Sequence, residues 1–276
     1  MPDALLHGKK ALITGSRRGI GRGIALAFAR EGADIGLNDI ERDDEAERTI
    51  AAVRDLGRDV TFTVADLSTS AGVGRLFDEF LAHHGRIDIL VNNHYWNRSA
   101  TFLEIAEADW DRVQLVCVKS YFLCAQRAAR EMVKQSPERA ARSEPRAPRE
   151  AAGHILSISS VHAFRAWEKD TAYGVAKAAV KRMTLSMATD LAEHGIRANA
   201  IAPGYIHSRL LPPEEEHRRG GPGYCDHAVP EIPTRTIGVP DDIGGAAVFL
   251  CSRLGEYVNG VTLLVDGGLL ATGTPD

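Results

Sequence analysis

Residues 11–31, ALITGSRRGIGRGIALAFARE, constrain the fold more than any other stretch. A short apolar strand, Ala11 to Thr14, runs into glycines at 15, 19 and 21, and a helical run from Ile20 to Glu31 follows at once. Glycines at a strand-to-helix turn let the backbone approach a pyrophosphate, which then rests on the N–H groups and positive end of the helix. The spacing is Gly-x3-Gly-x-Gly, not the Gly-x-Gly-x-x-Gly of the commonest dinucleotide fingerprint. Context carries the assignment instead: a strand before, a helix after, and Asp39 at the end of the next strand.

Asp39 bears on the choice of dinucleotide. A carboxylate at the end of the second strand accepts hydrogen bonds from both adenosine ribose hydroxyls and repels a 2′-phosphate, which favours NAD. Arg17, Arg18 and Arg42 pull toward NADP, since each can pair with a phosphate. The expectation is NAD, with NADP as the lesser alternative.

Strand and helix patterns then alternate. Glu45 to Leu56 reads as a helix closed by Gly57, and Val60 to Ala65 as a strand. Asp66-Leu67-Ser68 follows, where Asp66 either reads an adenine or caps a helix. Phe77, Phe80 and Leu81 mark a helical stripe, and Ile87 to Val91 a buried strand ending at Asn92-Asn93. An Asn there can tie strands together and touch a cofactor. His94-Tyr95-Trp96 should face the cleft. Glu107 to Gln135 reads as one or two helices, and His154 to Ser159 as a strand ending in Ser159-Ser160. A helix to about His194, a strand at Ala198 to Ala202, a helix at Asp241 to Leu254 and a last strand at Val261 to Val265 complete the pattern. Such alternation predicts a parallel sheet with helices on both faces. With no repeat or linker, residues 1–276 read as one domain. A charged, proline-broken insert loop spans about 136–152, and a mobile lid over the cleft about 207–235.

Inside the helix after Ser160, Tyr173 and Lys177 stand four residues apart on one helical face. A free phenol, with a pKa of about 10, is a poor base at neutral pH. A fixed cation favours the phenolate, and a fall of about three units corresponds to about 4 kcal/mol.

Composition excludes several classes. A net charge of −4 over 276 residues, with dispersed basic residues, gives no footing for nucleic acid. No apolar run approaches the ~20 residues of a bilayer span, and MPDALLHGKK lacks a signal-peptide core. The four cysteines show no metal-ligand spacing, so no metal is expected, and the cytoplasm is the expected compartment.

Taken in order, TGSRRGIG (14–21), ADL (65–67), VNN (91–93), ISS (158–160), YGVAK (173–177), NAIAPGYI (199–206) and VDGG (265–268) resemble the short-chain dehydrogenase/reductase family, in its compact single-domain branch. The resemblance implies an α/β, doubly wound Rossmann fold with seven parallel strands and helices on both faces. It also implies a homotetramer or homodimer built on the two long helices and the C-terminal strand. It casts Tyr173 as general base or acid, Ser160 as the hydrogen-bond partner of the substrate oxygen, and Lys177 as the cation that lowers the Tyr pKa and holds the nicotinamide ribose. Gly15, Ser16, Arg18, Gly19, Ile20 and Gly21 would line the phosphates. Asp39 would take the adenosine ribose, Asp66 and Leu67 the adenine, Asn92 the adjoining ribose, and Pro203, Gly204, Ile206 and Ser208 the nicotinamide side.

Two departures stand out. The family's usual NNAG is NNHY, so His94 and Tyr95 replace small residues beside the cofactor. The family's fourth catalytic residue, an Asn in the central helix, is Cys117 in VCVKS, which implies a slower or rearranged proton relay. The expected activity is NAD(P)-dependent hydride transfer between the cofactor and a secondary alcohol or ketone. His94, Tyr95, Trp96, His162, Trp167 and His207 suit a sugar or polyol; a 3-oxoacyl or steroid-like ketone is the alternative substrate. A non-catalytic, nucleotide-sensing protein on the same fold is the alternative from another class.

Overall fold

The computed structural model describes residues 4–136, 151–207 and 226–271. Seven strands, β1 (Lys10–Ile13), β2 (Asp34–Asp39), β3 (Val60–Val64), β4 (Ile89–Asn92), β5 (Gly153–Ile158), β6 (Ile196–Pro203) and β7 (Thr262–Val265), form one sheet in the order β3-β2-β1-β4-β5-β6-β7. Every pairing is parallel. The helices are α1 (Gly19–Arg30), α2 (Asp44–Asp55), α3 (Ser70–His84), α4 (Glu107–Gln114), α5 (Ser120–Gln135), α6 (Thr171–Asp190) and α7 (Pro240–Cys251). The parallel sheet expected from the alternation is therefore present, in the seven-stranded, doubly wound order that the resemblance implies.

Parallel strands need crossover helices, which bury both faces of the sheet. One core layer unites Ile24 and Phe28 of α1 with Ile35, Val91, Ile201 and Ile243. The other unites Leu76, Phe77 and Phe80 of α3 with Leu90, Cys124, Ala128 and Ile155. Each such buried aliphatic side chain contributes about 1.5–3 kcal/mol. Helices α1 and α7 touch through small residues: a Cβ on Gly23 would lie 2.5 Å from Pro240, and one on Gly244 2.7 Å from Ala27.

Local chemistry sets the boundaries. Asp43 caps α2 by accepting from the Ala46 N–H, and Thr69 caps α3 by accepting from the Gly72 N–H. The cap of α3 is thus Thr69 and not Asp66, whose carboxylate accepts from the Ser68 N–H at 2.9 Å. The run 107–135 divides into α4 and α5 around a π-helical segment, Leu115–Lys119. Helix α6 ends at Asp190, before a 3₁₀ turn at Ala192–His194. The C-terminal helix stops at Cys251, with a 3₁₀ turn at Arg253–Gly255.

Almost all of the 136–152 insert and residues 208–225 of the expected lid lie outside the described residues. The described end of the lid is packed. Asp226–Glu231 forms a 3₁₀ helix, and Ile232 is buried with Val161, Ile237 and Leu269.

Candidate active site

The strand order reverses between β1 and β4, and at such a switch point the loops leaving the strands' C-terminal ends open a crevice. The glycine turn sits there. Gly15 and Gly19 hold φ of +60° and +59°, a region that strains any other residue. A Cβ on Gly15 would lie 2.7 Å from the His94 Cα, and one on Gly21 2.4 Å from the Gly15 carbonyl oxygen. The Asn93 amide clamps the turn, donating to the carbonyls of Thr14 (3.0 Å) and Gly15 (2.7 Å). At the start of α1, Arg18 provides no side-chain cap and the first turn carries no acid. Its first N–H groups are open to an anion, so the turn fits a dinucleotide diphosphate. Arg18 is exposed, whereas Ser16 is buried and its hydroxyl donates to Ile13 O at 2.8 Å. Ser16 therefore shapes the turn from within.

At the end of β2, the Arg17 guanidinium is enclosed by acids. It pairs with Glu41 at 2.5 Å, with Asp43, and with Asp39 at 3.8 Å. Arg42 pairs with Glu47 at 2.6 Å. Two of the three arginines that favoured NADP are thus engaged by carboxylates. Burial pushes the Asp39 carboxyl up, opposed by the Ile40 N–H and by Arg17. Asp66 is exposed beside this end of the crevice, while the Leu67 side chain belongs to the core and leaves only its backbone for a ligand. Asn92 donates to Tyr121 O at 3.3 Å, and its buried Oδ1 has no partner among the described residues. That orphan acceptor suits a ribose hydroxyl. Pro203 ends β6, Gly204 follows with its N–H on Val265 O (3.0 Å), and Ile206 bridges to Gly238. Ser208 lies outside the described residues.

Ser160, Tyr173 and Lys177, which the resemblance casts together, lie near one another. Ser160 and Tyr173 line one pocket of about 170 Å³ with Val161, His162, Gly204 and Tyr205. Lys177 lies one turn along α6 from Tyr173, its ammonium 5.5 Å from the centre of the Tyr173 ring. Burial pushes the Tyr173 phenol above its ordinary value; Cys117 and Tyr95 add to the rise, and a hydrogen bond with Ser160 opposes it. Burial likewise lowers the Lys177 pKa. The fall expected for the phenol is therefore not a property of the protein groups alone. Desolvation of the anion outweighs the neighbouring donors.

Sequence reasoning missed Tyr121, which is fully buried four residues beyond Cys117. Its hydroxyl donates to His94 O (2.9 Å), lies 3.4 Å from Ile158 O, and accepts from the Lys177 ammonium at 3.4 Å. Lys177 also donates to Ile158 O at 2.7 Å. Cys117 is fully buried, and its thiol donates to Trp96 O at 3.4 Å. A helical i, i+4 relation to Cys117 is the one sequence signal that marks Tyr121.

The aromatic cleft expectation holds only in part. The His94 ring turns inward, meeting Thr14 Oγ1 at 2.8 Å and Ser120 Oγ at 2.6 Å, and burial lowers its pKa to about 3. Trp96 packs under the Arg112 guanidinium at 4.5 Å, and His207 is buried. Tyr95 and His162 do flank Tyr173, with ring centres 6.3 and 5.4 Å away.

A family model described as enoyl-(acyl carrier protein) reductase matches residues 15–270. The 2-dehydro-3-deoxy-D-gluconate 5-dehydrogenase of Dickeya dadantii (strain 3937) is 36% identical, covering 96% of this chain and 97% of that protein. Glucose 1-dehydrogenase 2 of Bacillus subtilis (strain 168) is 34% identical, over 96% and 95%. The crystal structure of acetoin dehydrogenase from Enterobacter cloacae matches with a TM-score of 0.83 at 33% identity, covering 98% of each chain.

Proposed function

The chain belongs to the short-chain dehydrogenase/reductase family, and from that premise we propose that Ser160, Tyr173 and Lys177 carry its chemistry on a sugar or polyol. It is an NAD(P)-dependent oxidoreductase acting on CH–OH groups. The observation that carries the site assignment is the shared pocket of Ser160 and Tyr173, with the Lys177 ammonium 5.5 Å from the centre of the Tyr173 ring.

The bound nicotinamide supplies hydride acceptance and donation. Ser160 holds the substrate oxygen, and Tyr173 takes the hydroxyl proton in oxidation and returns it in reduction. Lys177, aimed by Ile158 O and Tyr121, places positive charge beside the phenol and reaches the ribose. Gly15, Gly19, Ile20 and Gly21 receive the diphosphate, with Ser16 bracing the turn and Arg18 facing solvent over it. Asp39 takes the adenosine ribose, Asp66 and the Leu67 backbone flank the adenine, and Asn92 offers Oδ1 to the other ribose. Pro203, Gly204, Ile206 and Ser208 close the nicotinamide side.

The cofactor is NAD rather than NADP. Asp39, Glu41 and Asp43 around Arg17 support this, because they leave that cation no surplus charge for a 2′-phosphate. Among the substrates named for the relatives, a deoxy sugar acid and glucose support a polyhydroxylated substrate, and acetoin supports a small hydroxy ketone. A 3-oxoacyl ketone is the second reading, favoured by the description of the family model.

Residues 1–276 act as one catalytic unit, which assembles as a homotetramer or homodimer. Exposed apolar residues support the assembly: Phe122 on α5, Val175 and Leu185 on α6, and Leu264 on β7. A cytoplasmic setting suits the free thiols of Cys117, Cys124 and Cys251. Among the described residues, no helix is long and apolar enough to cross a membrane.

The test is reduction of NAD⁺ and NADP⁺ by a panel of sugars, sugar acids, diols and simple alcohols, with 3-oxoacyl thioester reduction as the alternative arm. Activity confined to the thioester would overturn the polyol reading. A Tyr173→Phe variant as active as the parent would overturn the residue assignment.

A further inference from the structure

We propose that His162, held by Asp170, forms a second oxygen-binding subsite beside Tyr173 that recognises a hydroxyl on the carbon next to the reacting one. The preferred substrates are then vicinal diols and, in reverse, α-hydroxy ketones. This inference rests on the Ser160–Tyr173 site assignment and deepens it.

His162 stands two residues after Ser160, on the 3₁₀ turn Val161–Ala163 that Ser160 caps. Its N–H donates to Ser160 Oγ at 3.3 Å, so the backbone fixes the imidazole relative to the hydroxyl that holds the reacting oxygen. Three contacts then fix the ring. Nδ1 meets Asp170 Oδ2 at 2.7 Å, Trp167 packs on it with centres 4.5 Å apart, and Tyr173 meets it edge-on at 5.4 Å. The Asp170 side chain is 12% exposed, and its Oδ2 also accepts from the Trp167 N–H at 3.1 Å.

The chain shapes itself around this pair. Lys169, just before Asp170, takes φ of +62°, which a non-glycine residue rarely adopts. Gly174, next to Tyr173, leaves room for the carboxylate, since a Cβ there would lie 3.2 Å from Asp170 Oδ2. These features hold His162 in a pocket otherwise lined by Ser160, Val161, Tyr173, Gly204 and Tyr205.

A carboxylate accepts, so Nδ1 carries a proton and donates to Asp170. Nε2 remains, and among the described residues no protein group pairs with it. As imidazole it accepts a hydrogen bond, and as imidazolium it donates one. A hydroxyl serves both cases because it is donor and acceptor at once, whereas a carbonyl or ether serves only the second. The two rings, with centres 5.4 Å apart, line the same pocket, so one small molecule seated there can meet both side chains. Asp170 is the positioning residue, and His162 is the specificity-determining one.

The experiment compares butane-2,3-diol with butan-2-ol, which differ by that one hydroxyl, in the parent enzyme and in His162→Leu, His162→Gln and Asp170→Asn. The parent kcat/KM should favour the diol by at least about tenfold, the order expected when a polar site loses its partner. His162→Leu should bring the ratio to near one, mainly through the diol KM. His162→Gln, which keeps a polar terminus, should retain part of the preference, and Asp170→Asn should fall between. NADH affinity, followed by fluorescence, checks that each variant keeps the folded cofactor site. A parent enzyme equally active on both alcohols, or a His162→Leu variant that keeps the preference, would overturn the subsite and leave the oxidoreductase reading standing. A parent enzyme inert toward every alcohol and toward the 3-oxoacyl thioester would overturn the Ser160–Tyr173 assignment and the subsite with it.

Discussion

Replacing Lys177 with Met removes the positive charge beside the proposed base while keeping a flexible side chain of similar length. Burial already lifts the Tyr173 phenol above its ordinary pKa, so the charge has work to oppose. The ammonium lies 5.5 Å from the centre of the Tyr173 ring. At an effective dielectric of about 20, a unit charge at that range stabilises a phenolate by about 3 kcal/mol. At about 1.36 kcal/mol per unit, this is about two pKa units. The remaining decrease must come from charge that arrives with the oxidised cofactor. Alcohol oxidation by Lys177→Met, followed against pH at saturating cofactor, should therefore have its rising limb displaced upward by about two units, with turnover below the limb down about 100-fold. Lys177→Arg should recover part of both. Ile158 O loses its Lys177 donor at 2.7 Å, so NADH binding by the variant is measured alongside to check the fold. A limb that moves by less than about half a unit in a variant that still binds NADH would refute the electrostatic role.

Asp39→Ala should raise kcat/KM for NADP⁺ at least about tenfold and lower it for NAD⁺, since a repelling carboxylate and a ribose partner are lost together; the ratio of the two constants measures it. Gly21→Ala should weaken NADH binding more than about tenfold in a fluorescence titration, because its Cβ would lie 2.4 Å from Gly15 O and 2.6 Å from Asn93 Nδ2. Acid should destabilise the fold well before the carboxylates titrate. Burial lowers His84 to about 4 and His94 to about 3, so both stabilise the fold above the unfolded value near 6.5 and lose that contribution as pH falls toward their folded values. At pH 5 each should cost about 2 kcal/mol. Denaturant midpoints at pH 7 and 5, in the parent and in His94→Gln, check this; equal midpoints would contradict it.

What the sequence made legible is what repeats with a local period. The strand-turn-helix of the glycine stretch, the position of Asp39 and the Tyr173–Lys177 spacing follow from periods of two and 3.6, and all reach the crevice. Side-chain direction at strand exits was not legible. His94 follows β4 as a polar aromatic residue, yet its ring meets Thr14, Ser120 and Tyr121 in the interior, a result of tertiary packing. The run 107–135 gives Tyr121 no mark of its own. Its hydroxyl matters because residues 94 and 158, distant in the chain, bring carbonyls to it. Asp170 carries no periodic signal; it follows a left-handed Lys169, and its carboxylate meets His162 Nδ1 at 2.7 Å. The helical spacing of Tyr173 and Lys177 shows that a cation is near. It does not show how dry the phenol is, and dryness decides the sign of the shift.

The account stands most directly on the path of one hydrogen. With butane-2,3-diol deuterated at C2 and C3, the label should pass to C4 of the nicotinamide, detected by NMR of the reduced cofactor. The rate should show a primary isotope effect, and Tyr173→Phe should abolish the transfer while still binding NADH. Label lost to solvent, or undiminished transfer in Tyr173→Phe, would contradict it.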